Sequence, residues 1–221
     1  MLYQLIGSGL PFIEILALIL AYIVALLISF CVHEFSHAFV AYKMGDPTAK
    51  ALGRLTLNPF KHIDSTGFMC LLFFGFGWAK PVQINPTHFK RYKLGMILVS
   101  IAGVLANLIL AFLFCGLYFF VADFLTSSTN LFFIFLYYLL YFLVVLNLSL
   151  FVFNLLPIFP LDGFNFIKAI TPSGNKFVNF MQRYGTIILL IFLITPIFEY
   201  IYSFVTGGLI SIFCDFWGLF V

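Results

Sequence analysis

Residues 12–47 read FIEILALILAYIVALLISFCVHEFSHAFVAYKMGDP. From Phe12 to Phe30 only Glu14 is charged. The apolar run then resumes through Ala38–Tyr42 before Lys43, Gly45, Asp46 and Pro47 stop it. About 20 apolar residues suffice to cross the hydrocarbon core as a helix. The stretch therefore predicts one long membrane helix with a Gly/Pro stop. Its C-terminal part carries His33, Glu34 and His37, an H-E-x-x-H pattern. Residues four apart share a helix face, so both imidazoles can address one metal ion, with the glutamate beside it. His33 precedes Lys43 by ten residues and so lies about 15 Å from the charged edge. Ionisable side chains at that depth are costly and mark function by default. The competing explanation is a structural polar cluster bonded to a neighbouring helix.

The rest of the chain fits this environment. Of 221 residues, 63% are hydrophobic and 9% charged, against about 25% charged in an average soluble domain. The composition predicts an all-α polytopic membrane protein of one domain, residues 1–221, with its core over about 12–170. The N-terminus has no basic region and no cleavage pattern, so the first apolar stretch is expected to be retained. The cysteines Cys31, Cys70, Cys115 and Cys214 form no close pair in sequence, which points to neither a thiolate zinc site nor a disulfide framework. All eleven Lys and Arg fall between Lys43 and Lys93 or between Lys168 and Arg183. The positive-inside rule assigns both windows to the cytoplasm and the metal-binding motif to the cytoplasmic half of the bilayer. Dispersed charges on a lipid-embedded chain argue against nucleic acid as a partner.

About four to six membrane helices are predicted. Ala51–Leu57 alternates in part and precedes Asn58-Pro59, which suggests a short strand and turn. Phe68–Trp78 is too short to span and suggests a re-entrant or interfacial hairpin. Leu94–Val121 crosses outward, Leu131–Leu156 crosses back, and Tyr184–Tyr200 crosses outward again around Pro196. Leu209–Val221 is expected to lie at the interface or to form a half-helix.

A catalytic zinc site has three protein ligands and one open position, so a third ligand must come from another segment. His62, His88, Asp46 and Asp64 fall in the polar cytoplasmic stretch. Asp123, Glu199 and Asp215 fall near the outer side. Asp162 remains, within Asn154-Leu-Leu-Pro-Ile-Phe-Pro-Leu-Asp-Gly163. Two prolines free the backbone there, which is tolerated at membrane depth only against protein or a water-filled cavity. The competing explanation for Asp162 alone is a cap on the following helix.

These segments together resemble the site-2 protease family of intramembrane zinc metalloproteases, in its compact bacterial form. Further matching stretches are Leu57-Asn-Pro-Phe-Lys-His-Ile-Asp64, Gly77-Trp-Ala-Lys-Pro-Val82 with Asn85-Pro86, and Ala102-Gly-Val-Leu-Ala-Asn107. The resemblance covers roughly residues 25–170. Where the family pattern has proline after that Ala-Gly pair, Val104 stands here. The resemblance implies one zinc ion per chain held by His33, His37 and Asp162, and Glu34 as general base. It implies that Asn107 and Asn154 line the substrate cleft. It further implies regulated cleavage of transmembrane segments of other membrane proteins, within the plasma (bacterial inner) membrane.

Two other readings share these residues. A metal transporter would also place histidines and an aspartate at membrane depth, but transporters often show internal repeats and none is visible here. Transport also has no need of the glutamate directly after the first histidine, whereas an inactive helix-binding scaffold is disfavoured because all three expected ligands and the base are present.

Overall fold

The computed structural model describes residues 11–64, 66–67, 69, 80–126 and 130–220. Helix α1, Phe12–Met44, is 33 residues long, roughly 50 Å at 1.5 Å per residue, so it overhangs a core of about 30 Å. It ends where Gly45 takes a left-handed conformation (φ 112°). The Gly45 and Asp46 N–H groups there bond back to the Tyr42 and Ala41 carbonyls, which satisfies the last turn.

One face of α1 decides the packing. Ala17, Ala21, Ala25, Ser29, His33, His37 and Ala41 recur every four residues, and all are buried. Helix α3, Tyr92–Thr126, answers with Gly95, Val99, Gly103, Asn107, Ala111 and Cys115, again every four and again buried. Small residues at this spacing let membrane helices approach closely, because lipid supplies no hydrophobic drive for them to associate. Helix α4, Leu131–Leu155, packs against both and completes a three-helix core. Asn130 caps it by accepting from the Phe132 N–H.

Between α1 and α3 the described residues are largely irregular. The expected strand at Ala51–Leu57 is absent. Residues Thr48–Ala51 form one helical turn, α2, and Gly53 closes it at φ 66°. The Gly53 and Arg54 N–H groups bond to the Lys50 and Ala49 carbonyls. A left-handed glycine that caps a helix cannot also continue a ladder, so partial alternation of apolar residues is overruled. The hairpin expected at Phe68–Trp78 lies outside the described residues.

After α4 the chain turns sharply through Leu156–Leu161 into the short helix α5, Asp162–Ile170. Ile158 and Leu161 in the turn are buried, packed with Leu189, so this irregular backbone faces protein rather than lipid. Gly163 is required here, since a side chain would collide with the Leu155 and Leu156 carbonyls. Helix α5 packs on α3.

The single span expected over Tyr184–Tyr200 does not form. Helix α6, Lys176–Leu193, stops at Ile194, and α7, Pro196–Gly218, begins with Pro196 in its first turn. Proline has no N–H to donate into the preceding helix, while its fixed φ suits the first turn of a new one. Helix α6 leans on the α4–α5 turn, with Gly185 against Phe159. Helix α7 starts beside that same end of α4, where Phe198 packs on Phe153 and Tyr202 bonds Ser149 at 2.8 Å. It finishes along the far half of α3, where the Trp217 Nε1–H donates to the Phe112 carbonyl at 3.1 Å. It therefore runs in the same direction as α3. Leu209–Val221 is accordingly not a separate half-helix, because it continues α7 as far as Gly218. Five helices among the described residues (α1, α3, α4, α6 and α7) are long and apolar enough to cross a membrane.

Candidate metal centre

The four-residue stripe on α1 brings His33 and His37 onto the face that meets α3, and the α4–α5 turn brings Asp162 against both. The Asp162 Oδ2 lies 3.2 Å from His33 Nε2 and 3.0 Å from His37 Nε2, and the two Nε2 atoms are 3.1 Å apart. Among the described residues this is the one group of three His, Cys, Asp or Glu side chains that could hold a metal ion.

With both imidazoles neutral, their Nδ1 bonds leave no proton for these contacts. His37 Nδ1–H donates to the Val99 carbonyl at 2.7 Å, and His33 Nδ1–H donates to Asn107 Oδ1 at 2.6 Å. A neutral imidazole has one N–H, so both Nε2 atoms carry lone pairs toward each other and toward the carboxylate. The Asp162 Oδ2 is buried without a hydrogen-bond partner. Three converging lone pairs without a proton between them repel, and a cation relieves them. Tetrahedral zinc with bonds of about 2.0–2.1 Å sets its ligand atoms about 3.3 Å apart, close to the separations seen. Two imidazole nitrogens and one carboxylate oxygen suit zinc. The residues present therefore fit the ion.

Gly103 makes the room for this arrangement. A Cβ at that position would stand 2.5 Å from His37 Nε2 and 2.6–2.7 Å from His33 ring atoms. The two rings, set edge-to-face, approach the bare backbone of α3 at Gly103 and are held by Val99 and Asn107.

Glu34 sits about 100° further round α1, half-buried. Its Oε2 accepts the Val82 N–H at 2.9 Å. Val82 belongs to an extended strap, residues 80–85, whose far end is tied down by Asp46. That fully buried carboxylate accepts the Asn85 N–H at 2.7 Å, the Thr48 N–H and hydroxyl, and His88 Nδ1 at 3.1 Å. Burial pushes the Asp46 pKa up, but the bonds from Thr48, Asn85 and His88 outweigh it and hold it below the ordinary carboxylate value. The same side chain thus ends α1 and fixes the strap over Glu34.

Of the two proposed cleft residues, Asn107 is fully buried behind His33. Asn154 donates one turn back to the Leu150 carbonyl at 3.1 Å and does not touch the cluster. His62 donates to the Thr56 carbonyl, Asp64 accepts the Gly67 N–H, and His88 pairs with Asp46. All three stand apart from the cluster. Sequence reasoning did not find Ser29, Asn147, the strap, or the part played by Gly103. Ser29 and Gly103 were readable in the four-residue stripes, and Asn147 as a polar residue amid an otherwise apolar helix.

The sequence matches the family described as peptidase family M50 over residues 21–194. The chain belongs to that family. Within the site-2 proteases it is a metalloprotease of the site-2 type. It is similar to YwhC of Bacillus subtilis, named as a proposed zinc metalloprotease, at 43% identity over 190 residues, 81% of this chain and 82% of the relative. It is also similar to Rip2 of Mycolicibacterium smegmatis, named likewise, at 34% identity over 189 residues, 80% of this chain and 70% of the relative. No solved structure matches the chain. The match to the M50 family runs from residue 21, within α1, through the end of α6 and thus contains every residue of the metal cluster.

Proposed function

We propose that this site-2 protease hydrolyses peptide bonds in or near transmembrane segments of membrane-protein substrates. His33, His37 and Asp162 hold one zinc ion per chain, and Glu34 is the general base. The convergence of three lone pairs at 3.0–3.2 Å, with Asp162 Oδ2 otherwise unpartnered, carries the reading.

Zinc, when bound, polarises the scissile carbonyl and acidifies a water molecule. Glu34 takes that water's proton as its oxygen attacks the carbonyl carbon. It then returns the proton to the nitrogen as the C–N bond breaks. The Val82 N–H holds the glutamate oxygen in place without touching the metal ligands. Asn107 and the Val99 carbonyl keep both imidazoles facing inward.

Asp162→Ala tests the site. It is expected to lower zinc content and to abolish cleavage of a tagged single-span substrate by purified protein in detergent, as a chelator does to the parent. Asp64→Ala and Asp123→Ala are expected to leave both unchanged. Full zinc occupancy without Asp162 would dismiss the assignment. Metal flux across proteoliposomes without any cleavage would favour the transporter instead.

In this reading the windows 43–93 and 168–183 are cytoplasmic, the active site lies nearer that side, and the chain sits in a bacterial inner membrane. In a background without the natural cysteines, an impermeant thiol reagent added to intact cells is expected to label a cysteine at Thr126 but not one at Lys90. The reverse pattern would invert the orientation.

A further inference from the structure

Behind His33 lies a run of side chains from three helices: Ser29 on α1, Asn107 on α3 and Asn147 on α4, each fully buried. Its direction is set from one end. Asn147 stands 2.7 Å from the Leu143 carbonyl. That oxygen can only accept, so the atom facing it is the amide nitrogen. The same nitrogen donates to Ser29 Oγ at 2.8 Å, and the Ser29 hydroxyl in turn donates to the Ala25 carbonyl. The Asn147 oxygen must then face α3, where it accepts from Asn107 Nδ2 at 2.7 Å. Asn107 Nδ2 also reaches the Ser29 carbonyl at 3.4 Å. This leaves the Asn107 oxygen, and not its nitrogen, toward His33 Nδ1.

The opposite amide orientation would require Nδ1 to accept. The ring proton would then sit on Nε2, where it blocks a metal. A backbone carbonyl on α4 thus determines, through two amides, which nitrogen of a ring on α1 is free.

We propose that Asn147 is a positioning residue for the metal centre. It orients the Asn107 amide and thereby holds His33 in the tautomer whose Nε2 lone pair faces Asp162. This rests on the reading of His33 as a zinc ligand. The plainer alternative is that the run merely joins helices, as buried amides do in membranes.

The experiment uses purified full-length protein in detergent. Zinc affinity is measured by competition with a chelator of known affinity, and thermal unfolding of the zinc-free protein is followed in parallel. Asn147→Leu keeps volume and removes the orienting contacts. The zinc dissociation constant is expected to rise about 10–100-fold, the range for lost partners behind a metal-bound histidine. Asn107→Asp removes the need for orientation, since both carboxylate oxygens accept. In that background Asn147→Leu is therefore expected to add no further loss of zinc affinity. A joining role predicts the same loss in both backgrounds, tracking a lower melting temperature of the zinc-free protein. Where Asn147→Leu fails to fold, Asn147→Ala takes its place with the same pair of expectations. Unchanged affinity in the single variant, or equal loss in both backgrounds, overturns the proposal. A parent chain that binds no zinc overturns instead the reading beneath it.

Discussion

Glu34→Gln is expected to keep about one zinc per chain and to lose cleavage by about 10²–10⁴-fold, the contribution of a general base. The structure makes this a clean substitution. Glu34 touches none of the three metal ligands. Its one described bond is the Val82 N–H donated to Oε2, and a glutamine oxygen can accept that bond too, though more weakly than a carboxylate. Position, packing and strap are thereby kept while the proton acceptor is lost. The measurement is cleavage of a tagged single-span substrate in detergent, with metal content determined on the same preparation. Undiminished cleavage would remove Glu34 from the chemistry. Loss of zinc along with activity would show that the substitution disturbs the ligands, and the base assignment would have to be withdrawn.

Gly103→Ala is expected to lose both zinc and activity, although it adds a single methyl group and touches no ligand in sequence. The new carbon would fall 2.5–2.7 Å from atoms of both histidines. The rings cannot step aside, because Val99 and Asn107 hold their Nδ1 atoms at 2.7 and 2.6 Å. Helix α3 cannot retreat either, because its four-residue stripe is packed against that of α1 from Ser29 to Ala41. Gly207→Ala on α7 is the control. A Cβ there meets nothing within 4 Å, and zinc content is expected to match the parent. Elemental analysis of the two purified variants decides the matter. Parental zinc in Gly103→Ala would mean that the rings are not pinned as their hydrogen bonds imply.

Much of the candidate site was legible because its information is local. His33, Glu34 and His37 lie within five residues, and helical periodicity alone puts the histidines together. Asp162 could be singled out because charge is scarce in this chain and every other acid fell at the wrong level. Asn147 and Ser29 could not be reached the same way. A polar side chain in an apolar helix announces that it needs a partner, but not which one. The strap escaped for a different reason, since the group it offers to Glu34 is a backbone N–H with no signature in sequence.

The errors in the fold have equally local causes. Ala51–Leu57 alternates enough to suggest a strand, yet Gly53 in the left-handed region ends a helical turn there. Tyr184–Tyr200 carries no charge except Glu199 and is mostly apolar, so hydropathy runs straight over Pro196. The hydrogen-bonding deficit of that proline is what separates α6 from α7.

The stripe on α1 places the metal ligands and the helix-packing residues in one register, and this limits how a substrate enters. Under the proposed function, a polypeptide cannot be admitted by parting α1 from α3 without loss of the metal site. Asp162 rides on α5, which packs on α3, so that movement would pull His33 and His37 away from the carboxylate and dismantle the centre. The seam that closes the bundle is thus a weld and not a door. Among the described residues, the sector of α1 that carries Glu34 is covered by the strap from residue 80 to 85, tied to Glu34 through Val82 and pinned at its far end by Asp46.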